Sequence, residues 1–394
     1  MPVDLATLPV PVALERLGAA LDGTGDALLP LPPDEPSVRA LQPLRPGTPL
    51  GPDEDDAADP TALVLATSGS TGTPKGALLP ASALRHSAGA THQRLGGPAT
   101  WLLALPPHHV AGVQVLVRSV VAGTRPEVLD LGAGFEPGGF AAATDRLAGR
   151  APGRRYTALV PTQLVRLLDG GDRALRALTS YDAVLVGGAA TPPALLGRAR
   201  AAGVRAVTTY GMSETCGGCV YDDRPLDGVQ VRVVDGVVRL GGPVVARGYR
   251  GQPGSGAFAC DDGTRWFRTG DLGRWDGERL RVLGRADDVV VTGGLKVAPQ
   301  EVEAVLADVP EVRECLVVGV PDAEWGQRVV AVVVPRDGGS PVPLELLRGR
   351  VTAALGAHAA PRAVVEVPVL PLRGPGKPDR RAARDLAARA LSGG

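Results

Sequence analysis

Hydrophobic and polar positions follow three successive patterns along this 394-residue chain. In the first, short apolar runs (TALVLA, TWLLAL, RRYTALV, YDAVLVGG and VRAVTTYG) are separated by longer segments. Those segments, such as ASALRHSAGATHQRL and HVAGVQVLVRSVVAG, carry apolar residues at helical spacing. Buried strands alternating with helices predict a mostly parallel sheet covered on both faces. After Gly218 the period shortens to two. GVQVRVVDGVVRLGG and RLRVLGR alternate apolar with polar residues around DG turns, which predicts a small antiparallel β unit. The third pattern comes after GRADD: a strand DVVVTGG, a helix APQEVEAVLADV, strands ECLVVGV and RVVAVVVP, a helix LELLRGRVTAAL and a closing helix after Lys377. The expected fold class is therefore α/β. A large N-terminal domain, residues 1–286, is succeeded by a small α+β C-terminal domain, residues 287–394, the latter of ordinary domain size.

Composition narrows the function classes. Hydrophobic residues make up 44% and charged residues 21%, as in ordinary globular proteins, and the formal net charge is zero. No stretch forms a basic block, so neither nucleic acid nor an anionic membrane is an expected partner. The N-terminal MPVDLATLPVPVALERLG lacks a cationic region and carries Asp4 and Glu15, unlike a secretory signal. No apolar run reaches the roughly 20 residues that span a bilayer. The expected location is cytoplasmic. Four cysteines make no disulfide framework, and Cys216 with Cys219 in CGGC reads as two small loop residues ahead of a zinc or redox pair.

Of the 42 basic side chains only three are lysines: Lys75, Lys296 and Lys377. Where Arg has replaced Lys so widely, the survivors mark places that need a compact ammonium on a thin stem. All three lie in Gly-rich settings: GTPKG, GGLKV and GPGKPD. The first belongs to LATSGSTGTPKGALL, an apolar run that stops at a loop of Gly, Ser and Thr. Consecutive backbone N–H groups and hydroxyls in such a loop form a concave donor set for phosphate, and Lys75 adds a positive charge. The spacing is not that of a Walker A loop. The loop is expected between a buried strand and a helix.

TSGSTGTPKG resembles the signature loop of the adenylate-forming superfamily, which comprises acyl- and aryl-CoA synthetases, carrier-protein adenylation domains and luciferases. The remaining family motifs occur in order: GGA (187–189), TYGMSET (209–215), WFRTGDL (266–272), GRADD (284–288), GGLKVAPQEVE (293–303) and GPGKPDR (374–380). The resemblance implies that a substrate carboxylate attacks the α-phosphorus of ATP, and that coenzyme A then takes the acyl group. Joining two anions calls for positioning and charge neutralisation above all. By resemblance, Thr67, Ser68, Gly69, Ser70, Thr71, Gly72 and Lys75 hold the outer phosphates of ATP. Ser213 meets the α-phosphate region, and Glu214 ligates Mg²⁺. Tyr210 lies against adenine with Thr209, Gly211 and Met212 of its motif and with Gly188 and Ala189. Asp271 accepts the ribose hydroxyls, and Arg285 meets ATP. Lys377 reaches the reacting carboxylate and phosphate from the small domain, which the resemblance implies is mobile. Asp287 matches the hinge. Gly293 and Gly294 line the pantetheine tunnel, and Lys296 faces coenzyme A's phosphates.

Within the family, RLGGPATWLLALPPHHVAGVQVLVRSVVAG and TYGMSETCGGCVYDDRPLDGV resemble the short actinobacterial-type o-succinylbenzoate–CoA ligases of menaquinone biosynthesis. That resemblance implies an aromatic dicarboxylate substrate. His109 matches the histidine bordering the acyl pocket, beside Gly187 and Gly211, and His108 replaces a commonly aromatic or apolar neighbour. Other readings on the same scaffold are another aryl- or short acyl-CoA ligase, or an adenylation domain loading a carrier protein. A non-catalytic nucleotide-binding regulator is disfavoured, because Glu214, Asp271 and Lys377 are all present. Only 66 residues precede the loop. Dimerisation is one way to supply the cover that a longer N-terminal region gives in other acyl-CoA synthetases, so a homodimer joins the acid, ATP and coenzyme A as an expected partner.

Overall fold

The computed structural model describes residues 1–394 except 4, 6–7, 68–73, 151, 337–340, 374–376, 393–394 and the side chains of Arg373 and Lys377. After a helix α1 (Val10–Leu21), two antiparallel strands, β1 (Thr61–Thr67) and β2 (Lys75–Pro80), flank the Gly/Ser/Thr loop. Then α2 (Ala81–Leu95), β3 (Thr100–Leu103), α3 (Val110–Ala122), β4 (Glu127–Val128), α4 (Pro137–Arg150) and β5 (Arg155–Leu159) alternate. Helices α5 (Pro161–Asp169) and α6 (Gly171–Thr179) lead to β6 (Ala183–Val186), α7 (Pro193–Ala201) and β7 (Ala206–Met212). Proline opens α4, α5 and α7, where its missing N–H has no intrahelical partner to lose.

Strands β3 to β7 form the parallel part of a seven-stranded sheet, which β8 (Gly217–Tyr221) and β9 (Arg224–Pro225) extend antiparallel at one edge. One face of the sheet packs on α1, α2 and α3 through residues such as Leu17, Leu84, Val113 and Trp101. The other packs on α4 to α7 through Phe140, Leu164, Leu178 and Ala199. This doubly covered sheet is the one the alternating pattern predicts.

One expectation needs correction. The loop before Lys75 does not run from a strand into a helix. It joins β1 to β2, and both belong to a separate three-stranded sheet completed by Gly248–Tyr249. KGALLP is less apolar than TALVLA, yet it is buried from Gly76 onward and folds back as a second strand before α2 begins.

The antiparallel unit comes next: β10 (Gln230–Val234), β11 (Val237–Gly241), β12 (Gly248–Tyr249), β13 (Phe258–Asp261), β14 (Thr264–Trp275) and β15 (Leu280–Arg285). All but β12 form one five-stranded sheet centred on β14. The C-terminal domain contains β16 (Val290–Thr292), β17 (Leu295–Val297), α8 (Pro299–Leu306), the long hairpin β18 (Val312–Asp322) and β19 (Gly326–Pro335), α9 (Leu344–Leu355) and β20 (Ala363–Glu366). It closes with β21 (Leu372–Arg373), β22 (Lys377–Pro378) and α10 (Arg380–Ser392). Val and Leu of β18 and β19 feed two cores, one under α8 and α9 and one under α10. The molecule is a large N-terminal and a small C-terminal α/β domain. Among the described residues no helix is long and apolar enough to cross a membrane.

Candidate active site

Two groups of polar side chains meet where the seven-, five- and three-stranded sheets of the large domain converge. In the first, Glu214 sits on a single 3-10 turn, Ser213–Thr215, between β7 and β8. Thr215, fully buried, holds this turn: its hydroxyl accepts from the Met212 N–H at 3.0 Å and donates to the Gly217 carbonyl at 2.8 Å. Gly211 is required by its neighbour, because a Cβ there would stand 2.1 Å from the Gly217 carbonyl oxygen. The Glu214 side chain is 7% exposed, and Tyr249 Oη donates to its Oε1 at 2.7 Å. Lys75 Nζ lies 5.0 Å over the Tyr249 ring. Burial pushes the Glu214 carboxyl above the usual carboxylate range, while Tyr249, Lys75 and Arg285 pull it back.

The second group is a chain of charges. Tyr210 Oη donates to Asp271 Oδ2 at 2.6 Å, and Asp271 Oδ1 lies 3.6 Å from Arg285 Nη1. Register sets this up, since Asp271 on β14 is the cross-strand partner of Arg285 on β15. Arg285 in turn donates to both oxygens of Asp287, at 3.0 and 3.3 Å. Burial raises the Asp271 carboxyl and pushes the Tyr210 phenol well above its ordinary value. Because Arg285 also acts on Glu214, the two groups form one electrostatic unit. It contains Lys75, Glu214, Tyr210, Asp271 and Arg285, residues that span more than half of the sequence.

Around this unit lie other expected residues. Thr67 pairs with Lys75 across the β1–β2 hairpin. Thr209 Oγ1 donates to the Val186 carbonyl at 3.4 Å, where β6 runs out into Gly187, Gly188 and Ala189. His109 caps the start of α3, its ring 4.3 Å from that of His108. Further along α3, Gln114 donates to the Cys216 carbonyl at 2.6 Å, so the histidine's helix packs against the turn that carries Glu214. Cys216 and Cys219 are buried in the core beside this turn rather than in an open loop, and burial pushes both thiols up. The expected phosphate contacts Ser68, Gly69, Ser70, Thr71 and Gly72 lie outside the described residues.

The remaining expected residues sit in the C-terminal domain. Gly293 and Gly294, both with positive φ, make the turn between β16 and β17, and Lys296 is exposed on β17. The Gly293 N–H donates to the Trp325 carbonyl at 3.0 Å, and a Cβ at Gly293 would meet the Trp325 ring at 2.8 Å. The Arg362 guanidinium stacks on the same ring, 3.8 Å from its centroid. Lys377 opens β22 opposite Arg373. Three residues on, Arg380 binds Glu303 through two nitrogens, Asp288 at 3.1 Å and the Val317 carbonyl at 2.9 Å. It therefore anchors the segment after Lys377 to the segment after Asp287.

Sequence reasoning missed Tyr249 and Arg380. Tyr249 is distant in sequence from Glu214 and Lys75, and nothing in ARGYRG marks it. Arg380 stands within GPGKPDR, yet only its three acceptors, two partly buried carboxylates and the buried Val317 carbonyl, distinguish it from a surface arginine.

The donor set is compatible with Mg²⁺. Among the described residues no group of three or more His, Cys, Asp and Glu side chains forms a metal cage. A single buried carboxylate near a lysine suits Mg²⁺, which binds through one or two carboxylates with phosphates and water as its other ligands.

The family model "AMP-binding enzyme" matches residues 17–250, and "AMP-binding enzyme C-terminal domain" matches residues 301–377. The chain is an AMP-binding enzyme. Among its relatives, the protein named "Probable 2-succinylbenzoate–CoA ligase" of Mycobacterium tuberculosis is 48% identical over 97% of this chain and 96% of that protein. Among solved structures, o-succinylbenzoate CoA synthetase from Bacillus subtilis in complex with the acyl-adenylate intermediate matches with a TM-score of 0.71 at 25% identity, over 98% of this chain and 82% of that one. The amide bond synthetase McbA from Marinactinospora thermotolerans matches with a TM-score of 0.75 at 27% identity, over 97% and 83% of the two chains.

Proposed function

We propose that this AMP-binding enzyme is an ATP-dependent acid–CoA ligase that converts o-succinylbenzoate to o-succinylbenzoyl-CoA, a step of menaquinone biosynthesis. The observation that carries this reading is the 48% identity across nearly the whole of both chains with a relative named for that activity.

In the first step a carboxylate oxygen of the acid attacks the α-phosphorus of ATP, and the bond to pyrophosphate breaks. Lys75 supplies positive charge to the outer phosphates. Glu214 is the carboxylate that would hold Mg²⁺, which when bound neutralises phosphate charge. Asp271 accepts the ribose hydroxyls, with Tyr210 and Arg285 fixing its orientation. Lys377 supplies charge to the reacting groups from the C-terminal domain. In the second step the sulfur of coenzyme A attacks the acyl carbonyl and AMP leaves. Here the C-terminal domain turns about Asp287, at the boundary between residues 286 and 287, to bring Gly293, Gly294 and Lys296 to the incoming thiol arm. His109, Gly187 and Gly211 border the acyl group. Because ATP and coenzyme A are both consumed, we place the reaction in the cytoplasm.

Mass spectrometry of products tests the proposal. The purified protein is mixed with Mg-ATP, coenzyme A and o-succinylbenzoate, in parallel with benzoate, salicylate and octanoate. The expected result is a mono-CoA thioester from o-succinylbenzoate alone, with AMP. A thioester from another acid instead would keep the chemistry and overturn the substrate. AMP without any thioester would point to a different acceptor, such as a carrier protein.

A further inference from the structure

The two-residue strand β12 is too short to be stable alone, yet its surroundings lock it. Its residues Gly248 and Tyr249 pair with Leu78 and Ala77 of β2. The next residue, Arg250, donates its N–H to the Gly76 carbonyl at 2.8 Å, and its guanidinium binds Thr48 Oγ1 at 2.7 Å and the Thr48 carbonyl at 2.8 Å. The Gly251 N–H donates to Glu54 Oε1 at 2.6 Å. Tyr249 therefore stands on a fixed backbone. Its ring is fixed as well, 6% exposed and packed edge-on against Phe258 at 5.0 Å, with Phe258 in turn 5.1 Å from Phe267.

This frame points the ring at the two charges of the site. Tyr249 lies opposite Ala77, and Lys75 is two residues earlier on the same strand and hence on the same face. Diagonal cross-strand neighbours are within reach of an aromatic side chain, which accounts for the ammonium 5.0 Å above the ring. The hydroxyl at the far end of the ring reaches Glu214 Oε1 at 2.7 Å. A rigid side chain thus holds one carboxylate oxygen while sitting under the lysine assigned to the phosphates.

We propose that Tyr249 is a positioning residue that fixes the Glu214 carboxylate in the orientation that would hold Mg²⁺ when ATP binds. The proposal rests on the reading of Glu214 as the metal-bearing carboxylate. A hydroxyl that only satisfied a buried carboxylate would contribute to stability and leave the metal's effect on nucleotide binding unchanged. A positioning hydroxyl is coupled to the metal, because the carboxylate it releases must be re-ordered each time Mg-ATP binds.

The test is calorimetric titration of the full-length protein with ATP in the presence and absence of Mg²⁺, reading the ratio of the two dissociation constants. Glu214→Gln should abolish the enhancement by Mg²⁺. Tyr249→Phe keeps the ring and removes only the hydroxyl. It should lower the enhancement about tenfold, the scale of one hydrogen bond to a charged group. The double variant should match Glu214→Gln alone, since the hydroxyl acts only through that carboxylate. If Tyr249→Phe keeps the full enhancement while Glu214→Gln loses it, the positioning role is overturned and the metal assignment stands. If Glu214→Gln keeps the enhancement, the metal assignment fails and the proposal fails with it. Thermal melting of each variant separates these results from misfolding, and a Phe variant that melts early without losing the Mg²⁺ effect also counts against the proposal.

Discussion

His92 and Arg118 face each other in the core between α2 and α3. Arg118 is 3% exposed, stacks 5.0 Å from Trp101, and donates to the Tyr221 hydroxyl at 3.2 Å. Burial, reinforced by this guanidinium, lowers the pKa of His92 from 6.5 to about 4. Between those two values the unfolded chain binds a proton at position 92 that the folded protein does not. Stability contributed by neutral His92 is therefore complete well above pH 6.5 and falls as the pH drops toward 4, by on the order of 3 kcal/mol. Arg118→Met removes one of the two causes. Its Tm measured from pH 7 down to pH 4 should fall less steeply than that of the wild type, and an identical slope would show that Arg118 has no part in it. The most legible feature of the sequence also belongs to single residues. With only three lysines among 42 basic side chains, Lys75 stands out, and it lies over Tyr249 close to Glu214. Nothing at this scale in the sequence indicates that Tyr249 is the residue between them.

At the scale of elements, the apolar pattern specified most helices and strands, because a helix or strand buries one face whatever its partners are. It misread the segment after the Gly/Ser/Thr loop. An apolar run adjoining an amphipathic helix reads as part of that helix's lead-in and does not reveal that it pairs with the preceding strand on one edge and with the distant β12 on the other. The turn after β7 shows how local chemistry sets a functional side chain. Thr215 satisfies the Met212 N–H and the Gly217 carbonyl at once in a fully buried position. Thr215→Val keeps the shape and leaves both groups unpaired, at a cost of about 2 kcal/mol. Urea unfolding should show that loss. Mg-ATP binding should weaken in the same variant, because Glu214 rides on this turn. Loss of stability with unchanged nucleotide affinity would separate the turn from the site.

For the whole molecule, the C-terminal domain depends on Arg380, which joins Asp288, Glu303 and Val317. Arg380→Met strips the partly buried Asp288 and Glu303 carboxylates of their cation, leaving Glu303 only the Val317 N–H, and such losses cost about 3–5 kcal/mol. Hydrogen exchange should accelerate across the β18–β19 hairpin and α10, while α2 keeps its protection. Uniform acceleration in both domains would contradict this. The division of labour between domains is tested at Lys377. Lys377→Ala should reduce adenylate formation by about 100-fold or more, the scale of one lost charge contact in a transition state. Thioester formation from supplied acyl-adenylate should remain within a few-fold of wild type. Equal loss of both half-reactions would refute the assignment.

By itself, the sequence determined the α/β organisation with a large and a small domain and the doubly covered sheet, because each is recorded locally in a hydrophobic period. Only the tertiary structure decided that Gly248–Tyr249 pairs beside Lys75, that Tyr249 holds Glu214, that Arg285 links Asp271 to Asp287, and that Arg380 ties the segment after Lys377 to the segment after Asp287. Each of these joins residues that the chain brings together only when separate sheets or segments pack, and one sequence carries no local trace of such a contact.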